Sequence, residues 1–100
     1  MEIMQNGSSH LKIKGNIKSP EHFNSIKDTT YDLISRGEKI IYLMIEDSFA
    51  ITSSVIHFFS HLIRHEAVTL HIQASDPRLY RTLENLELIE HFNVRLMHKA

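Results

Sequence analysis

The side chains able to do chemistry crowd into residues 46 to 65. Glu46 and Asp47 are adjacent carboxylates, Thr52-Ser53-Ser54 is a run of hydroxyls, and His57, His61 and His65 recur every four residues. Two histidines at i and i+4 can reach one metal ion from adjacent helical turns, which makes His57, His61 and His65 candidate zinc ligands. The row lacks the Glu of a metalloprotease motif, and no carboxylate is fixed beside it by spacing. A polar helix face in a His-rich chain is the preferred reading, and a pH-sensitive surface is a lesser alternative, since histidine as a residue type is the usual switch near neutral pH. Successive residues at a strand end point to opposite sides, which disfavours an acid–base pair at Glu46-Asp47. Hydroxyls ahead of a helix ordinarily serve as caps. A switch in this chain would sit there as well.

Enzyme signatures are missing. Gly7, Gly15 and Gly37 lie too far apart to form a phosphate-binding loop, and no serine is flanked by the glycines of a nucleophile elbow. An enzyme is the least favoured class, and no cofactor is implied.

These residues need elements to hold them. Ile40 to Ile45 is an unbroken apolar run, which predicts a central strand covered on both faces. The joint 46–54 leads into a helix over 55–65, with Thr52 or Ser53 as its N-cap. At about 100° per residue, Val55, Ile56, Phe59, Leu62 and Ile63 face inward. Ser53, His57, Ser60, His61 and Arg64 face outward, with Phe58 and His65 at the boundary. Phe49, in the joint, reads as a core plug first and a contact residue second.

The flanking chain supplies the other elements. Residues 1–9 form either a short strand closed by Asn6-Gly7 or a frayed terminus. His10 to Ile17 alternates as a half-buried strand near a sheet edge, with Gly15 at a bulge or close backbone approach. Ser19-Pro20 starts a helix whose inward stripe is Phe23, Ile26, Thr30, Leu33 and Ile34, and Gly37 ends it. Lys27, Asp28 and Asp32 lie on its solvated face. Val68 to Ala74 alternates again. Ser75-Asp76-Pro77 opens a third helix with Leu79, Tyr80, Leu83 and Leu86 inward. An irregularity near Asn85 precedes Leu88, Ile89 and Phe92. Asn93 to Met97 is a short last strand, and 98–100 a tail. Strands separated by helices imply parallel pairing through right-handed crossovers. The expected fold class is α/β: one domain over 1–100, with a central, mostly parallel sheet of four or five strands and three or four helices.

Composition narrows the partners. One hundred residues suffice for one domain, and a formal net charge of −1 points to neither nucleic acid nor an acidic membrane surface. Without cysteine there are no disulfides and no thiolate zinc sites. The longest apolar run is far short of the roughly 20 residues of a membrane span. No basic-then-apolar leader is apparent, so the expected location is the cytoplasm.

The order of elements, with Ile51-Thr52-Ser53-Ser54-Val55-Ile56 at the joint, resembles the STAS domain of anti-sigma factor antagonists and their relatives. Leu70 to Leu83 looks like that family's strand, polar turn and third helix. Leu86 to Phe92 looks like its helix end, and Gly15-Asn16-Ile17 falls where the family often has Gly-Glu-Leu/Ile. The resemblance spans about residues 8 to 97. It implies a bacterial signal-transduction module in which the joint hydroxyl is phosphorylated by a serine kinase that is also the anti-sigma factor. By position the phosphorylation candidates are Ser53 and Ser54. Thr52 stands where the family has Asp, and Val55 where it has Gly, a position at which glycine lets a partner's backbone come close. Other members dock constitutively in scaffolds or transport complexes.

The expectation is a non-enzymatic protein–protein docking module. Its partner-docking residues are Phe49, Thr52, Ser53, Ser54, His57 and His61. Ligand or metal binding through the His face is the runner-up, and a homodimer is compatible with the sequence.

Overall fold

Period-two burial runs through the strands. In chain order the elements are β1 (Glu2–Gln5), β2 (His10–Lys14), α1 (Pro20–Ser35), β3 (Ile40–Glu46), α2 (Ser53–His65), β4 (Thr69–Ala74), α3 (Pro77–Asn85) and β5 (Val94–Leu96). This computed structural model describes residues 1–97. The tail expected at 98–100 lies outside the described residues. The sheet has five strands in the order β1-β2-β3-β4-β5. β1 runs antiparallel to β2, and the other pairs are parallel. The fold is therefore α/β with three helices, and residues 2–5 form a strand rather than a frayed end.

Local chemistry explains the boundaries. The Asn6 N–H donates to the His10 carbonyl at 2.7 Å, closing the first hairpin. Ser19 caps α1 by accepting from the His22 N–H, and Pro20 occupies its first position, where a missing N–H costs nothing. At the other end, the Gly37 N–H reaches Ile34 O and the Glu38 N–H reaches Leu33 O. That pattern is a Schellman motif, and it needs the positive φ of 93° that glycine accepts. Asp76 caps α3 ahead of Pro77. α3 stops at Asn85, where Glu87 takes φ 60° and redirects the chain toward the fully buried Phe92.

One expectation is overturned. β3 is the middle strand, but it is covered on one face only. Ile41, Leu43 and Ile45 are fully buried, whereas Ile40 is 45% exposed and Tyr42 41%. The cause is topological. Strands joined in sequential order by crossovers of one hand put α1, α2 and α3 on the same face. Beneath the helices, Leu11, Leu43, Ile72 and Val94 lie side by side across four strands. Ile13, Ile45 and Ala74 form the next row. The opposite face carries His10, Tyr42 and His71 in one row, and Met4, Lys12, Met44, Gln73 and Arg95 in the next.

Phe58, placed at the boundary by periodicity, is 6% exposed. Its ring meets Phe23 and Tyr31 of α1 edge-on, at centroid distances of 5.9 and 5.6 Å. Phe59 instead points at Phe92, at 5.9 Å. The apolar arc of α2 is wide because it packs against a second helix as well as the sheet.

Leu43→Ala should cost about 2–5 kcal/mol, because it removes buried methyls from the central row. Ile40→Thr, on the open face of the same strand, should stay within about 0.5 kcal/mol. Urea unfolding of both variants checks this, and equal midpoints would refute one-sided coverage.

Candidate functional site

Three strand ends meet at the carboxyl edge of the sheet, the usual place for sites in parallel α/β folds. β2 ends in Gly15-Asn16, β3 in the joint 47–52, and β4 in the turn 75–76. Gly15 has φ 94°, and an added Cβ would come within 3.4 Å of the Met1 Cα. It therefore marks a close backbone approach rather than a strand interior.

The joint is tied on both sides. The Asn16 Oδ1 accepts the Phe49 N–H at 2.9 Å. The Ser75 Oγ accepts the Asp47 N–H at 3.2 Å. Asp47 sits at φ 52°, a left-handed conformation that aspartate tolerates better than most side chains. Ser48 is fully buried, and its hydroxyl donates to Ala50 O at 3.1 Å. The paired carboxylates separate: Glu46 lies 3.4 Å from the Lys12 ammonium, and Asp47 4.0 Å from that of Lys14.

Thr52 is the N-cap of α2. Its Oγ1 accepts from the Val55 N–H at 3.3 Å, and its carbonyl accepts from Ile56. That hydroxyl is therefore occupied in the helix start. Ser53 and Ser54 follow in the first turn, and both are exposed. No acidic residue occupies that turn. Val55 is fully buried among the core side chains, so its branched Cβ does not stand in the way of a docking surface.

Phe49 is not a core plug. Its ring is 45% exposed, and the Arg78 guanidinium lies over it at 4.4 Å. Arg78 is held in turn by Asp76, through Nη2 to Oδ2 at 2.7 Å and Nε to Oδ1 at 3.1 Å. That bidentate pair, with the Arg78 backbone N–H, pulls the Asp76 carboxyl below its ordinary pKa. Phe49 is left at the surface because its backbone is already claimed by Asn16. Asn16, Ser75 and Arg78 escape a reading of the sequence as site partners. Asn16 and Ser75 are turn-type residues next to strand ends, and Arg78 is a basic residue in the first turn of α3.

On α2, His57 and His61 are exposed on the outward stripe. His61 and His65 lie ring against ring at 4.9 Å, and the His61 Nε2 is 3.7 Å from the Glu66 carboxylate. Among the described residues, no three His, Asp or Glu side chains group in a way that could hold a metal ion. Phe49 and Thr52 thus fall in the joint, Ser53 and Ser54 in the first turn of α2, and His57 and His61 are exposed further along that helix. No helix is long and apolar enough to cross a membrane, among the described residues. No family model, curated protein or solved structure matches the chain.

Two outcomes follow from this geometry. Thr52→Ala should cost about 0.5–2 kcal/mol, the value of an N-cap, while Ser53→Ala should cost less, as a thermal melt will show. Arg78→Ala should return the Asp76 pKa toward its ordinary value, read by NMR titration of the carboxyl. The linkage has a definite sign. A depressed folded-state pKa stabilises above the ordinary carboxylate range, and that contribution is lost as the pH falls through the depressed value.

Proposed function

We propose that the chain is a non-enzymatic, STAS-like docking module that works in the cytoplasm through a protein partner. Its contact surface is the joint and the outward stripe of α2: Phe49, Thr52, Ser53, Ser54, His57 and His61. The partner is an anti-sigma-type serine kinase, and the switch is phosphorylation of Ser53 or Ser54. The observation that carries this reading is the exposed hydroxyl pair in the first turn of α2, at the end of a loop that also bears an exposed aromatic ring held by Arg78. The resemblance at residues 51–56 supplies the partner class.

The physics supports a switch that acts on binding and not on folding. A phosphate brings about −1.5 to −2 charges. At a helix N-terminus those charges meet free N–H groups and the positive end of the dipole. The domain tolerates the modification, whereas a partner lying across the joint meets a new anion. The constitutive alternative, a scaffold or transport-complex subunit, draws on one observation: Thr52 is used as a cap and no acid sits in the first turn to orient a kinase.

Titration calorimetry against the serine-kinase-type ATPase co-purified from the source cells tests the proposal. Ser53→Asp or Ser54→Asp should lower affinity for that partner while the melting temperature stays within a few degrees. Aspartate there gains about 0.3–1 kcal/mol from the dipole. Ser53→Ala and Ser54→Ala should retain the partner. Equal affinities for the Asp and Ala forms at both positions would leave the constitutive scaffold.

A further inference from the structure

The sheet face opposite the helices holds a concavity of about 400 Å³, within the range of small-molecule pockets. It stands apart from the joint, and nothing in the docking proposal uses it. Its floor is the row His10, Tyr42 and His71, which adjoin one another across β2, β3 and β4. The three rings stack nearly parallel. His10 lies 4.7 Å from Tyr42 at an interplanar angle of 12°, and His71 lies 4.9 Å away on the other side at 14°. Both faces of Tyr42 and one face each of His10 and His71 are therefore spent within the row, which turns the ring edges toward a ligand lying along it.

Ring edges carry the positive part of the aromatic quadrupole, so they favour an electron-rich π-face or an anion. The rest of the lining has the same preference. Lys12 and Arg95 stand in the next row, with Gln73 between Arg95 and Met44. No carboxylate lines the concavity among the described residues. Lys12 is partly neutralised by Glu46 at 3.4 Å, but Arg95 has no carboxylate within ion-pair distance among the described residues. The guanidinium is the natural fork for a carboxylate or phosphate. Asn6 and Asn93 add amides at the rim. The Asn93 Nδ2 already donates to Leu70 O at 2.8 Å, which fixes that side chain.

From this charge and edge complementarity we infer that the open sheet face is a binding site for a small aromatic anion. Its acidic group pairs with Arg95 and Lys12, and its ring lies across the edges of His10, Tyr42 and His71. Two other occupants fit worse. A second copy would set Lys12 and Arg95 against the same cations, which an isologous interface does not favour. Single-stranded nucleic acid needs free ring faces for base stacking, and both faces of the central Tyr42 are taken.

The test is an amide NMR titration of the full chain with four probes: 2-naphthoate, phenyl phosphate, 2-naphthamide and acetate. At least one of the two aromatic anions should give saturable shifts centred on His10, Tyr42, His71, Gln73 and Arg95. The tighter of them identifies the acid as carboxylate or phosphate. Neutral 2-naphthamide and the ringless acetate should bind about tenfold more weakly or worse, the scale of one lost charge-assisted hydrogen bond. Arg95→Gln and, separately, Lys12→Gln should weaken the aromatic anion while leaving the remaining spectrum in place. The inference is overturned if neither aromatic anion saturates, or if 2-naphthamide binds as tightly. It is also overturned if both variants bind like the parent, or if a short oligothymidylate outcompetes every probe.

Discussion

The arrangement depends on the lateral packing of Leu11, Leu43, Ile72 and Val94 under three helices. These side chains come from four strands, and each is nearly or fully buried. Parallel strands need long crossovers, and crossovers of one hand in sequential order deliver every helix to one side. Val55, Phe59 and Leu62 of α2, Leu33 of α1 and Leu79 of α3 then complete a single core. The loops after β2, β3 and β4 gather at one edge, and the opposite sheet face is left without a helix, carrying polar and aromatic side chains together with Ile40, Met4 and Met44.

The joint after β3 shows how a loop is held while its reactive groups stay outward. Asn16 and Ser75 accept the backbone N–H groups of Phe49 and Asp47, and Thr52 accepts that of Val55. Two of these backbone donors are satisfied from neighbouring strand ends and the third by the helix's own cap, so the loop is tied to its neighbours at two points. The side chains of Phe49, Ser53 and Ser54 take no part in those bonds and remain available. Such an anchored surface suits docking, because little conformational freedom is lost when a partner arrives.

The two surfaces differ in electrostatic character. At the joint, Asp47 and Asp76 each face a cation, Lys14 and Arg78, so the charges there are largely matched. Introducing a phosphate would unbalance that edge. On the open face the lining cations outnumber carboxylates, and the aromatic row turns its edges outward. One sheet thus separates a balanced, hydroxyl-bearing edge from a concavity lined by Lys12 and Arg95 without a carboxylate among the described residues, although the net charge of the chain is only −1.

Much of the fold was legible in the sequence because its determinants are local. Ser19-Pro20, Asp76-Pro77 and Gly37 mark helix ends through bonds between residues two to five positions apart. Period-two and period-3.6 patterns set which side chains of β2, β4, α1 and α2 face the core. The positions of Ser53, His57 and His61 on the outward side of α2 follow from the same spacing. What the sequence could not settle required knowing which distant segments lie side by side. The apolar run at Ile40–Ile45 looks alike whether one face or two is covered, since hydropathy records solvation preference and not the number of helices overhead. Phe58 turned inward because α1 lies beside it. Phe49 stayed outside because Asn16, 33 residues earlier, holds its backbone and Arg78 covers its ring. The stack of His10, Tyr42 and His71 exists only through strand register, which brings together residues about 30 positions apart in the chain.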